Sequence, residues 1–267
     1  MSRLVYVGLI VLIAFLLYPL YVLFLVAFVP PKYTVDRLYP YQYPAAITLE
    51  NLEGALSNPQ IVHAALRSLT VATLVGLLSV ALGIPTAYGL SKLPERLAYA
   101  ITTTLFFANM MPAIVVAIPI ASAFARLGLF DTVIGLALAQ ELVALPVSSF
   151  VLLGVFQSIP RELELQARVD GAGLFRTLFQ IVLPLAKEGI AATFLLSWML
   201  SWDEFTFAVL LSPVNPTMPV LIYLYTTRGN LLEAAAMSLV LTAPVLVLTI
   251  LLQKYLKGEY IGGGLKG

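Results

Sequence analysis

The 267-residue chain is 60% hydrophobic and only 11% charged, with a formal net charge of +1 and no cysteine. Globular domains carry about 25% charged residues, so the composition points to a polytopic membrane protein. Near-neutrality and the lack of a basic run give no support to a nucleic-acid partner, and the lack of cysteine excludes disulfides, thiolate metal sites and thiol catalysis.

A crossing helix needs about 20 apolar residues for a hydrocarbon core of roughly 30 Å, and six segments qualify. The first runs from about Leu4 to Val29 behind a single Arg3 and ends in Pro30-Pro31. It far exceeds the about 7–15 residues of a signal-peptide core and lacks a small-x-small cleavage site, so it reads as a retained helix. The loop that follows, residues 30 to 63, is first rich in Pro and Tyr and then predicts an amphipathic helix from about Leu49, capped by Thr48. His63 reads as an interfacial residue at a helix start. The second span lies between Arg67 and Lys92, and the third between Arg96 and Arg126. The fourth runs from about Thr132 to Phe156 and contains Glu141; the fifth, from about Glu188 to Leu211, contains Asp203 and Glu204. The sixth runs from about Ala234 to Gln253. Pro19, Pro112, Pro146 and Pro244 fall inside spans and should kink them. The expected organisation is an all-α, six-span protein: a first helix and outer loop (1–63), a core of five spans (64–256), and a tail (257–267).

Lys and Arg set the orientation, because cytoplasmic loops collect them. Arg3, Lys92, Arg96, Arg161, Arg168, Arg176, Lys187, Lys254, Lys257 and Lys266 share one side, against Lys32, Arg37, Arg67, Arg126 and Arg228 on the other. Both termini and the segment around residues 160–172 are therefore expected in the cytoplasm.

That segment, SIPRELELQARVDGAG from Ser158 to Gly173, is too short and too charged to cross a bilayer. Ser158 suits a helix cap, Pro160 a first turn, and Glu162 and Glu164 the positive end of the helix dipole. Glu164 and Arg168, four apart, form a favourable pair, and Gly171 can take a left-handed ending. Leu165, Val169 and Ala172 share one face; Arg161, Glu164 and Arg168 share another. Mixed charge with small apolar residues suits a groove on another protein better than an anionic lipid surface. Leu174, Leu178, Ile181 and Leu185 then continue the helical spacing through Pro184 towards the fifth span, a direct mechanical connection.

The pattern Arg161-Glu162-Leu163-Glu164, Ala167-Arg168-Val169-Asp170-Gly171-Ala172 and Ile181-Val182-Leu183-Pro184 resembles the EAA loop of binding-protein-dependent ABC importers. Where that family usually has Glu-Ala-Ala, this chain has Leu165-Gln166-Ala167. Its nearest acid, Glu164, points about 100° away on a helix. Met111-Pro112 through Pro119, Leu127 through Thr132, Trp202-Asp203-Glu204-Phe205 and the glycine-rich end Gly262 to Gly267 look like the six-span permease of the maltose/trehalose branch. The resemblance implies a coupling helix formed by Arg161, Glu162, Glu164, Ala167, Arg168, Asp170, Gly171 and Ala172. It also implies a second homologous permease, two ATPase subunits, an extracellular solute-binding protein and a sugar substrate. No cofactor is expected on this chain; ATP and magnesium would be held by the ATPase.

The chain contains no Walker loop, HExxH or G-x-S-x-G. No enzyme constellation therefore has a starting point. Acids inside a membrane are costly and face protein or water. Counting residues puts Glu141, Asp203 and Glu204 roughly 12–14 Å deep, with Gln140 and Asn109 as further members of a polar layer. These groups would bind sugar hydroxyls, with Trp198 and Trp202 stacking on a sugar ring. The reading that takes precedence over direct sugar contact is that the acids only pack or gate and the indoles only pack or anchor at the interface. Other functional readings are a polyamine or peptide branch of the same importers, or an ion-coupled transporter relaying protons through Glu141, Asp203 and Glu204.

Overall fold

A computed structural model describes residues 3–31 and 46–256, and every regular element among them is helical. The glycine-rich tail (257–267) and most of the Pro/Tyr-rich loop (32–45) lie outside the described residues. In chain order the helices are α1 (Arg3–Ala27), α2 (Glu50–Ser57), α3 (Pro59–Ser91), α4 (Glu95–Asn109), α5 (Ala113–Leu127), α6 (Val133–Gln157), α7 (Arg161–Val169) and α8 (Leu174–Thr177). A π-turn (Leu178–Val182) leads into α9 (Leu183–Trp202), followed by α10 (Thr206–Leu211), α11 (Met218–Thr227) and α12 (Leu231–Leu256).

Among the described residues, five segments are long and apolar enough to cross a membrane: Val5–Ala27, Pro59–Ser91, Val133–Gln157, Leu174–Trp202 and Leu231–Leu251. The expected third span is not one helix. It breaks at Met110–Pro112 into α4 and α5, of 15 residues each. Each is about 22 Å long at 1.5 Å per residue, short of a bilayer core. The cause is Pro112, whose ring disfavours helical backbone at Met111; Pro112 sits outside the helix, at φ −54° and ψ 123°. Pro19, Pro146 and Pro244 do lie within helices. The fifth span is also displaced from its expected 188–211. It begins at Leu174 and its helix stops at Trp202.

The chain forms two compact units. The first comprises residues 1–66 and 217–245. Its core joins Ala55, Ile61 and Ala64 to Met218, Leu221, Tyr225, Ala236 and Met237. Thr48 is not the cap of α2: Leu49 takes that position without a side-chain bond, and the Thr48 hydroxyl, one residue earlier, accepts from the Glu50 amide at 3.2 Å. Buried Asn51 donates to the carbonyls of Ala27 (3.0 Å) and Val29 (2.7 Å), which satisfies acceptors left open where α1 ends.

The second unit comprises, of the described residues, 67–216 and 246–256. Its centre is α6, packed on α9 and α4 and buried over much of its circumference. Glycines allow the close approaches. Gly76 on α3 faces the Phe194 ring and Gly83 faces Leu152, while Gly189 on α9 leaves no room for a Cβ beside Val155. Small residues at such crossings let backbones approach where apolar burial alone cannot drive association in lipid. At the α7 end, Ala87, Tyr88, Leu152, Phe156, Val182 and Ala186 close the core.

Candidate functional site

The short charged helix forms where the sequence places it, but its ends are built differently. Ser158 terminates α6, its hydroxyl donating back to the Val155 carbonyl at 2.7 Å, and Pro160 takes the cap position of α7 without a side-chain bond. The C-terminal break is as expected. Gly171 adopts φ +82°, a left-handed conformation open to glycine at little cost. The amides of Gly171 and Ala172 then donate to the carbonyls of Arg168 (3.0 Å) and Ala167 (2.9 Å).

The faces of α7 also differ from the expected partition. Glu164 does not pair with Arg168. It turns inward and is 7% exposed, beside buried Ala167. Its carboxylate accepts from the Tyr88 hydroxyl at 2.9 Å and pairs with Lys92. The Lys92 ammonium in turn lies 4.3 Å from the centre of the Tyr88 ring. Arg161 donates to the Ser91 carbonyl at 3.2 Å. Two side chains of α7 thus grip the end of α3. The opposite face is unpartnered among the described residues: Val169 is 88% and Leu165 59% exposed, with Glu162, Arg168 and Asp170 also exposed around them. Such a face is apolar at its centre and charged at its rim, the composition of a protein contact.

The intramembrane polar residues separate into two groups. Gln140 joins Glu204: its amide donates to the carboxylate at 3.2 Å and its carbonyl accepts from Ser201 at 2.5 Å. Glu204 lies in the break after α9, and its oxygens accept from the amides of Phe207 (2.8 Å) and Ala208 (3.1 Å). It therefore caps α10, and the helix interruption at Asp203-Glu204 follows from that capping. Asp203 is exposed on this chain. Glu141 faces elsewhere. It is buried and accepts from the Ser79 hydroxyl at 3.0 and 3.1 Å.

A cavity of about 500 Å³ opens beside Glu141. Its wall runs from Leu105 and Asn109 at the end of α4, across Met111 and the start of α5, to Leu142 and Pro146 of α6 and Phe207 of α10. The break in the third span forms one side of it. The Asn109 side-chain nitrogen has no hydrogen-bond partner although it is shielded from solvent. Asn109 and Glu141 therefore share one cavity, whereas Gln140, Asp203 and Glu204 do not line it. The tryptophans do not present open ring faces. They stack on each other at 4.8 Å and 13°, are 1% and 4% exposed, and Trp198 donates to Thr73 at 3.4 Å.

A third polar cluster lies at the other end of α3. Arg67 donates to the Asp131 carbonyl at 2.8 Å and to the Ser212 hydroxyl at 2.6 Å. Asp131, held at φ +58°, accepts from Ser212 (3.1 Å) and from both the amide (3.2 Å) and the side chain (2.5 Å) of Asn215.

Residues 79–259 match the binding-protein-dependent transport system inner membrane component family. The chain belongs to that family. It is a membrane-embedded permease, and the matched region holds α7, the cavity and the C-terminal part of α3 from Ser79 onwards. An inner membrane ABC transporter permease protein of Escherichia coli is 31% identical over 98% of this chain and 95% of its own length. A trehalose/maltose transport system permease protein of Thermococcus litoralis is 30% identical over 82% of each chain. The fold is shared with a chain of a bacterial ABC transporter involved in import of the acidic polysaccharide alginate. The TM-score is 0.73 at 22% identity, over 96% of this chain and 98% of the other.

Several residues of these sites escape sequence reasoning. Ser79 is one of many hydroxyls in apolar spans, and nothing in its neighbourhood marks it. Lys92 and Arg67 serve in the sequence only as span limits and orientation charges, and Tyr88 only as an apolar residue. The spacing of Tyr88 and Lys92, four apart at a span end, was the one available signal for a shared partner.

Proposed function

We propose that the chain is one half of the translocation pathway of an ATP-driven sugar importer, most closely suited to oligosaccharides. The observation that carries this reading is the solvent-facing Leu165 and Val169 on α7, a docking face within the family's matched region and with no partner among the described residues. An ATPase subunit is the occupant. Arg161, Glu162, Arg168 and Asp170 rim the contact, while Glu164, Ala167, Gly171 and Ala172 shape and hold the helix. A second homologous permease, two ATPase subunits and a solute-binding protein complete the assembly. The α4–α5 pair serves as the broken third of six crossings. Lys and Arg favour the α7 side ten to five, which supports a cytoplasmic location for α7 and both termini.

Sugar is the cargo class favoured by the trehalose/maltose relative. The cavity suits part of such a cargo, with an amide donor at Asn109, a carboxylate acceptor at Glu141 and apolar walls for ring faces. Gln140 and Glu204 act one step away, setting the helix break that presents Phe207 to the cavity. Trp198 and Trp202 stiffen α9 behind it. The test is uptake of radiolabelled trehalose and maltose into proteoliposomes holding the permease with its operon-encoded partners. Uptake should require ATP and the binding protein. Uptake that persists without ATP and collapses with the proton gradient would refute the proposal.

A further inference from the structure

The geometry points to α3 as the rod that carries movement of α7 to the cavity and to the Arg67 end. This rests on the reading of α7 as the ATPase contact. The covalent path from α7 runs instead into α9, and it contains soft joints. They are the turn at Asp170–Gly173 with Gly171 at positive φ, the four-residue α8 and a π-turn. The side-chain path has no such turn: α3 is one helix from Pro59 to Ser91, its backbone ladder broken only by the missing amide of Pro85. The buried Glu164 carboxylate is held from α3 by the Tyr88 hydroxyl and from the residue just past its end by Lys92, and Arg161 adds a bond to Ser91. The Tyr88 ring is itself fixed edge-on against Phe156 at 5.8 Å. Separating Glu164 from these partners would leave an uncompensated buried charge, a costly state. A displaced α7 therefore drags the end of α3 with it.

The same helix touches two other polar sites of this unit. Ser79 lies nine residues before Tyr88, about 14 Å along the axis, and holds Glu141 at the cavity wall. Arg67 lies a further twelve residues on, about 18 Å, in the knot with Asp131 and Ser212. Three polar ties on one continuous helix thus link docking face, cavity and far end. Glu164, Lys92 and Ser79 are positioning residues in this scheme; none is assigned a contact with ATP.

The experiment uses the fully assembled transporter and the cysteine-free character of this chain. A single Met111→Cys, at the cavity wall, is labelled with a maleimide in the absence of nucleotide and after trapping with ATP, magnesium and vanadate. With Glu164 intact, trapping should change the labelling rate. In the Glu164→Gln background the ATPase subunits should remain bound but the change should shrink about threefold or more, the scale on which coupling-network substitutions act. The exchanged pair Glu164→Lys with Lys92→Glu should restore it. Ser79→Ala, which leaves α7 untouched, should shrink it as well. An undiminished change in Glu164→Gln, an exchanged pair no better than the single variant, or, where Glu164→Gln fails to assemble, an undiminished change in Ser79→Ala overturns the inference. A labelling rate unmoved by trapping with all ties intact, or full ATPase retention in Val169→Asp, counts instead against the underlying reading of the cavity or of α7.

Discussion

Val169 offers the sharpest test of the docking face. Burying a valine side chain fully contributes about 1.5–3 kcal/mol. Val169 is 88% exposed, so nearly all of that remains available to a partner. Scaling by the exposed fraction gives roughly 1.3–2.6 kcal/mol. At 1.4 kcal/mol per decade that is about a 10- to 80-fold change in Kd. Val169→Asp loses this contribution and adds the cost of dehydrating a carboxylate, so the upper end is expected. The permease itself should be unaffected to within about 0.5 kcal/mol, since the side chain packs against little of its own chain. The assay is titration of labelled ATPase subunit onto the permease in nanodiscs. Val214→Asp is the matched control, because Val214 is 77% exposed but lies between α10 and α11, away from α7. A Val169→Asp affinity within twofold of the parent, or an equal loss in Val214→Asp, would refute the assignment of this face.

Two further predictions concern stability. Glu204→Ala removes the acceptor for the Phe207 and Ala208 amides and strands the Gln140 amide; loss of a cap costs about 0.5–2 kcal/mol, and thermal unfolding of the purified subunit should fall by several degrees, with Glu204→Gln milder. Gly189→Ala drives a methyl into Val155, an overpacking cost of about 1–3 kcal/mol, which the companion change Val155→Ala should relieve; an unchanged melting temperature for Gly189→Ala would show that α6 and α9 have room to separate.

The sequence made α7 legible because its signals are local. The charge pattern, Gly171 and the downstream Leu183-Pro184 all fall within a few turns. The inward turn of Glu164 was not legible, because its partners Tyr88 and Lys92 are 76 and 72 residues away, and helical spacing alone favoured Arg168. Ser158 misled for a different reason: a hydroxyl beside a helix start can equally close the preceding helix, and here it does. The long apolar spans were recoverable from hydropathy, but the third was not, since Pro112 was weighed as a kink and acts as a terminator. Glu204 looked like a cargo group on depth alone. A carboxylate three and four residues before free helical amides is also a cap, and the fold uses it so. Which face of α6 carries Glu141 rather than Gln140 towards the cavity depends on how α6 packs, which no single-chain pattern encodes.

The paired indoles have a practical consequence. They are the whole tryptophan content of the chain, and both precede the interruption after α9. The indole bands of the near-ultraviolet dichroism and the tryptophan emission of the isolated subunit therefore read the register of those two rings. A distortion within α9 that shifts one ring against the other would announce itself optically with no added dye.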